Sequence, residues 1–486
     1  MTHARQELFF AIRWQHVARY IGQFCLVTAA LSSIVLGVAL INAEFREALS
    51  YALIITVLAC CGAALSRIRP HGDIQLNEAL VLAASVFLLV PLITAIPLVI
   101  YGTSFVDAWF ETVSAVTTTG LSTRSSVAGL PATFLFARAW MQWYGGLGIV
   151  VLSLALMVRP GMAALRLASL DAPDDLVGGT RAHARRVLYV YLAMTGLGLL
   201  GWLLLGGRPF DGVLYILAAV STGGFTPTDG SFADLTDLRL AWVATLTALA
   251  GAIPLALYHG AWEKGWRHFM QNLEVRLLLA IGAIMTCLLG FFLWAQGMSF
   301  QAVVEHAPLM ALSAQTTSGF SSLDPGSLDA GSKMILILAM AMGGSVGSTA
   351  GGFKLLRVMI LFGLFYRCLR SMCVPPGTLI DQRFSGRRIE ATEVQDALMI
   401  ILMFIIVVFF SWLPFLVYGY APLDALFEVV SATGTVGLSS GVTQPGTPSL
   451  LKVVLCVDML LGRLEFVAWM VFFYHRTWIG RKRGKL

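Results

Sequence analysis

Four short stretches decide the reading of this chain: VTTTGLST at 116–123, VSTGGFTP at 220–227, QTTSGFSS at 315–322 and ATGTVGLSS at 432–440. Aligned on Gly120, Gly224, Gly319 and Gly437, they recur at spacings of 104, 95 and 118 residues. Each closes a short apolar segment, at 105–118, 210–222, 301–316 and 422–433. A bilayer crossing needs about 20 apolar residues, so these segments are too short to span and read as re-entrant helices. Each lies between two longer apolar stretches. The unit is span, short helix, glycine turn, span, written four times.

The composition around these units belongs to a membrane. Of 486 residues, 57% are apolar and 12% charged, against about 25% charged in soluble proteins. That balance excludes a soluble domain, a disordered chain and a nucleic-acid binder. Ten spans are expected, at 20–43, 50–66, 76–101, 133–158, 187–206, 238–258, 276–297, 332–363, 395–418 and 450–474. The first exceeds the roughly 7–15 residues of a signal-peptide core and reads as a span. An even number puts both termini on one side. With the N-terminus inside, 25 of the 33 basic residues are cytoplasmic, the bias that sets topology. The expected organisation is an N-terminal helix pair over 1–70, then units over 71–160, 161–260, 261–375 and 376–486. Seven scattered cysteines form no CxxC pair, so neither metal nor redox chemistry is expected of them.

Residues outside the alignment test it. Asp107, Asp211 and Asp424 each stand thirteen positions before their unit's glycine, where a helix N-cap is expected, and the third unit has His306 there. Each unit holds two full crossings, so successive units enter from the same side and are related by an axis along the membrane normal. Irregular backbone at membrane depth survives only where protein buries it or where it lines a water-filled path. Thr118 to Leu121, Thr222 to Phe225, Thr317 to Phe320 and Thr435 to Leu438 suit extended segments whose carbonyls face an axis, as in potassium filters. The short helices aim their negative dipole ends at it, which favours a cation. The bland alternative is that small residues merely allow close helix packing. Recurrence at one place in four units favours the filter.

The third unit's second span contains GGSVGSTAGGFK at 343–354, with five glycines in twelve residues. Each disfavours helix by about 1 kcal/mol, so an intramembrane loop is expected there. Lys354 at its end stands either beside the pathway or at the cytoplasmic boundary, snorkelling. Arg463, inside the last span near Asp458 and Glu465, is a functional candidate by position or a structural tie between units; a partner across the pore is expected for it. The external acids Asp229, Asp234, Asp237, Asp324 and Asp329 could concentrate cations at a mouth but read as ordinary loop residues, and the run 140–143 with Trp202, Trp412 and Trp478 reads as interfacial anchors.

Taken together, DAWFETVSAVTTTG at 107–120, WMQWYGGLGIVVLSLALM at 140–157, FDGVLYILAAVSTGGF at 210–225, GGSVGSTAGGFKLLR at 343–357, GTVGLSSG at 434–441 and LLGRLEF at 460–466 resemble the Trk/Ktr/HKT superfamily of potassium-translocating proteins. The resemblance implies an all-α polytopic fold with a pseudo-fourfold central pore in one subunit and two extra N-terminal spans. It implies a filter of Thr118, Thr119, Gly120, Leu121, Thr222, Gly223, Gly224, Phe225, Thr317, Ser318, Gly319, Phe320, Thr435, Val436, Gly437 and Leu438, binding K+. It also implies a gate of Gly343, Gly344, Gly347, Ser348, Thr349, Gly351, Gly352, Lys354 and Arg463. Where relatives carry three glycines after Ser-Thr, Ala350 takes the first place here, which is expected to stiffen the loop. Expected partners are a second copy of the chain, the lipid bilayer and a cytosolic nucleotide-binding subunit of the RCK type. The expected setting is the bacterial inner membrane, with K+ as cargo and no bound cofactor. Gly120, rather than the Ser of sodium-permeable plant relatives, implies potassium over sodium. Channel-like movement and coupling to H+ or Na+ both stay open. A membrane enzyme would need an acid–base or metal constellation that the spans do not supply, and a non-transporting assembly subunit would leave the four turns unexplained.

Overall fold

In the computed structural model, residues 11–72, 74–157, 179–373, 383–384, 387–388 and 391–479 are described. The connector 158–178, where the first two units were expected to meet, and the basic tail from 481 lie outside them. The N-terminal pair is α1 (Trp14–Ile41) and α2 (Phe45–Ser66), packed against each other. Their outer faces leave Ile41, Phe45, Leu49, Leu53 and Val57 exposed, the surface a lipid-facing helix presents.

The first unit comprises α3 (Leu76–Thr94), α4 (Phe105–Val116) and α5 (Ala132–Met157). The second has α6 (Gly179–Leu204), α7 (Pro209–Val220) and α8 (Leu238–Gly251), followed by α9 (Leu255–Lys264) and α10 (Trp266–Gln271). The third has α11 (Leu273–Ala295), α12 (Phe300–Gln315), α13 (Ala330–Met342) and α14 (Leu355–Met372). The fourth has α15 (Ala391–Val417), α16 (Pro422–Thr433), α17 (Ser449–Arg463), α18 (Val467–Phe473) and α19 (His475–Ile479). Between the third and fourth units, residues 383–384 and 387–388 pair as a small antiparallel hairpin. The fold is otherwise helical among the described residues.

The short helices α4, α7, α12 and α16 each pack between the two spans of their own unit. Each unit's second helix also packs on the next unit's short helix: α5 on α7, α8 on α12, α13 on α16 and α17 back on α4. The last contact closes the circle, giving four units about a common axis. Lipid tails are as apolar as the helices, so close packing and hydrogen bonds must hold the circle together.

Six described helices are long and apolar enough to cross a membrane, and a seventh crossing is counted if α8 and α9, bent by 89°, form one span. This multi-pass architecture departs from the expected ten continuous spans at the second helices. Among the described residues the first unit's, α5, is continuous, though it is not one of the six. The break at 343–354 falls where the glycines predict it. The spans expected at 238–258 and 450–474 are broken as well, and this corrects the sequence reading. Pro254, having no N–H and restricting the residue before it, ends α8. At 465–466, Glu465 and Phe466 take φ of 54° and 63°, conformations that side chains avoid unless the surroundings hold them.

Candidate functional site

Local chemistry shapes the four turns. Pro209 and Pro422 start α7 and α16 at the first helical position. Ser104 and Ser299 cap α4 and α12. The acids expected as N-caps instead stand three residues past them: Asp107, Asp211 and Asp424 sit in the first turn of their helices, where a carboxylate meets the positive dipole end. His306 lies well inside the longer α12.

At the other end all four helices stop in the same way. The N–H groups of Thr119, Gly223, Ser318 and Val436 donate to the carbonyls of Ser114, Ala218, Ser313 and Ser431 at 2.8–3.0 Å. This is a Schellman termination, whose left-handed residue is normally glycine. Here it is threonine every time: Thr118, Thr222, Thr317 and Thr435 have φ of 56°, 53°, 57° and 51°. A β-branched residue in that region costs about 1–2 kcal/mol, and the fold bears it four times.

The glycines two residues later, at φ of 94°, 82°, 70° and 98°, bring the turns into contact. A Cβ on Gly120 would lie 2.3 Å from the Gly223 oxygen, and on Gly224 2.4 Å from the Ser318 oxygen. On Gly319 it would lie 2.1 Å from the Val436 oxygen, and on Gly437 2.0 Å from the Thr119 oxygen. Each unit's glycine thus abuts a carbonyl of the next, and the fourth returns to the first. No side chain fits at any of the four. Leu121, Phe225, Phe320 and Leu438 are buried and anchor the ascending strands. The sixteen residues of the expected filter are brought to one ring.

The supports behind this ring escaped the sequence reading. Glu111 and Glu428, both buried, stand nine residues before Gly120 and Gly437. Glu111 accepts from Ser122 and from the Thr123 N–H at 3.1 Å, while Glu428 accepts from Ser439 Oγ at 2.9 Å and the Ser440 N–H at 3.0 Å. The matching residues are Tyr215, donating to the Ser231 carbonyl at 3.0 Å, and Met310, whose Sδ accepts the Ser322 N–H at 3.3 Å. The repeated pattern D-x-x-x-E in DAWFE and DALFE was the available signal. Lys452 pairs with Asp107 at 2.5 Å and Lys333 with Asp424 at 2.7 Å, each lysine on the second helix preceding that acid's unit around the ring. Asp234 and Asp324 accept backbone N–H groups of their own loops, Asp237 and Asp329 cap α8 and α13, and Asp229 reaches the Val127 N–H in the first unit's loop at 2.6 Å. Burial raises the pKa of Asp329, but the hydroxyl of Ser332 and the N–H groups of Ser332 and Gly331 outweigh it and hold the carboxyl below its ordinary value. Trp143 and Trp202 are buried packing residues, not interfacial anchors.

The loop 343–354 lies against the inner ends of the turns. Its Gly351 N–H donates to Thr317 Oγ1 at 2.8 Å, and its Gly352 N–H to the Gly434 carbonyl at 3.2 Å. Thr349 Oγ1 lies 3.1 Å from the Val220 oxygen and 3.0 Å from that of Gly251. The loop also nests in the breaks of its neighbours. Ser345 N–H donates to Ala252, Leu255 N–H to Gly347, and Val346 N–H to the Glu274 carboxylate, all at 3.0–3.2 Å. On the other side Arg357, just past the loop, pairs with Glu465 in the fourth unit's break. Gly343, Gly347 and Gly352 adopt left-handed angles, Gly344 lies against the Ala350 side chain, and Ser348 donates to the Ser345 carbonyl at 2.6 Å. Lys354 is buried at 6% exposure and donates to the Ala350 carbonyl, so it does not snorkel. Arg463 donates to the Thr349 carbonyl at 2.8 Å. Its partner lies outside its own helix, on the third unit's loop, and is a backbone carbonyl.

Comparisons agree with this geometry. The family model described as TrkH, cation transport protein, matches residues 48–477. The Trk system potassium uptake protein TrkI of Halomonas elongata is 27% identical over 487 residues, covering 96% of this chain and 97% of its own. The corresponding TrkG of Escherichia coli K12 is 26% identical over 453 residues, covering 89% and 93%. The crystal structure of the potassium transporter TrkH from Vibrio parahaemolyticus superposes with a TM-score of 0.85 at 23% identity, over 96% of this chain and all of that one, a likeness of fold. With its fourfold ring and a family match across most of its length, this chain belongs to the TrkH family of cation transport proteins.

Proposed function

We propose that the chain is the membrane subunit of a potassium uptake system. In it, K+ sheds its water onto the carbonyls of the four turns and enters the cell down the membrane potential, worth about 2.3 kcal/mol per charge per 100 mV. The observation that carries this reading is the closed ring in which Gly120, Gly224, Gly319 and Gly437 each meet a neighbouring unit's carbonyl. Ring carbonyls can replace a hydration shell only if side chains stay out of the way. The names of the relatives, Trk system potassium uptake proteins, point the same way.

The loop 343–354 is the gate in this proposal, held shut by Arg463 on Thr349 and by Lys354 within the loop itself. A cytosolic nucleotide-binding subunit of the RCK type releases it. The working assembly is a homodimer in a bacterial inner membrane with both termini inside, and the units run 71–160, 161–260, 261–375 and 376–486. The test is flux of K+, Rb+, Na+ and Li+ into liposomes, with and without a pH gradient. K+ and Rb+ should enter and the smaller ions should not; equal K+ and Na+ flux would end the proposal. A second reading, symport with H+ or Na+, is favoured by one observation: Asp458 is buried, with one oxygen accepting from Ser411 at 2.6 Å and the other without a hydrogen-bond partner. K+ entry that needs an imposed pH or Na+ gradient would select it.

A further inference from the structure

The four turns are not held alike. In the first and fourth units a short-helix serine secures the glycine: Ser114 Oγ accepts the Gly120 N–H and Ser431 Oγ the Gly437 N–H, both at 3.0 Å. The third unit keeps Ser313 at that place, its Oγ 3.3 Å from Ser318 Oγ. The second unit has Ala218, which offers no hydroxyl.

What reaches the second turn comes from the neighbouring unit. Gln142 on α5 is fully buried; its Nε2 donates to the Gly223 carbonyl, and its Oε1 accepts the Phe225 N–H at 3.2 Å. One amide thus holds the strand on both sides of Gly224. One helical turn away on the same face, Arg138 donates to the Thr226 carbonyl at 3.1 Å, with its guanidinium 4.4 Å from the centre of the Phe225 ring.

A further oddity has the same cause. The residue before the ring glycine is Thr119, Ser318 or Val436 in the other units, and only the second has glycine there. A Cβ on Gly223 would lie 2.5 Å from Gln142 Cδ. The amide occupies the space the side chain takes elsewhere. Ala218 and Gly223 are two departures from the repeat that the one Gln142 interaction explains.

We propose that Gln142 is the positioning residue that fixes the second unit's part of the ring and so sets the preference between K+ and Na+. This rests on the filter reading above. A ring that closes around a smaller ion must draw its carbonyls inward, and the Gly223 carbonyl cannot move inward without leaving Gln142. Anchoring from behind therefore penalises Na+ more than K+, whichever of cavity size or carbonyl field strength dominates the discrimination.

The test uses the full chain in liposomes, reading the K+/Na+ flux ratio. Gln142→Leu, similar in size but without an amide, should lower the ratio about tenfold, the worth of one to two hydrogen bonds. Adding Ala218→Ser puts a hydroxyl under the Gly224 N–H, as Ser114 and Ser431 do for theirs, and should recover most of the ratio. A residue needed only for folding would not be rescued in selectivity by a hydroxyl on another helix. Should Gln142→Leu fail to fold, Gln142→Met, unbranched and of similar length but with no N–H donor to Gly223, should likewise lower the ratio. A folded Gln142→Leu or Gln142→Met with the parent's ratio overturns the assignment and leaves the filter standing. A parent protein without K+ preference overturns both.

Discussion

Gly437→Ala probes the ring at its tightest contact. The new Cβ would start 2.0 Å from the Thr119 oxygen and 3.0 Å from its carbon, so one strand must retreat by about 1.5 Å to reach ordinary contact. Alanine at φ of 98° adds about 1–2 kcal/mol of backbone strain. Gly441 separates the two effects. Its φ is 89° and nothing lies within 4 Å of a Cβ there, so Gly441→Ala carries similar strain without the clash. Pushing one carbonyl off the axis forfeits an ion contact on the order of 1–3 kcal/mol, which corresponds to a roughly tenfold to hundredfold loss of preference for K+. Flux ratios in liposomes, with thermal unfolding of each variant in detergent, make the comparison. Gly441→Ala should lose some stability and keep the parent's ratio, while Gly437→Ala loses the ratio. Equal ratios in two folded variants would refute the idea that the glycines admit a ring of carbonyls.

Three further outcomes follow from named contacts. Lys452→Met should lower Tm by leaving Asp107 without its partner at 2.5 Å, at a cost of about 1.5–3 kcal/mol; the double variant with Asp107→Asn should cost less than the sum of the singles, and strict additivity in thermal unfolding would show that the pair is idle. Thr349→Val removes the hydroxyl that meets the Val220 and Gly251 carbonyls, leaving both without it at about 1–3 kcal/mol, and should speed hydrogen exchange in the loop. Arg463→Ala deletes the bond to the Thr349 carbonyl and should raise basal K+ flux several fold without a regulatory subunit; flux at or below the parent's would argue that Arg463 is a structural tie.

The ring of turns was legible because its signal is local and repeated: Thr-x-Gly after a short apolar helix, four times, with glycine required by the backbone itself. The loop at 343–354 was legible for the same reason, since five glycines cannot be hidden in a helix. The other two breaks were not. Pro254 was visible but sits near one end of an apolar stretch that reads as a span without it, and the break at Glu465 is stabilised by Arg357, more than a hundred residues away. Gln142 stayed hidden because its meaning lies in the second unit's turn, 81 residues on. Glu111 and Glu428 were passed over inside apolar helices, although the repeat alignment superposes them. The acids of the first helical turn were placed as caps because spacing alone does not separate an N-cap from a position three residues later.

The loop's two bonds to the turns, at Thr317 Oγ1 and the Gly434 carbonyl, have a thermodynamic corollary. On the proposed reading of the ring as the ion site and the loop as its gate, withdrawing the loop uncouples two donors from the ring's inner rim and so changes the site's affinity for K+. Reciprocity then requires that the cargo bias the loop by the same free energy. Permeant cation would act as its own effector, and the distance from a spin label on the loop to one on α15 should shift with K+ concentration in the absence of any nucleotide.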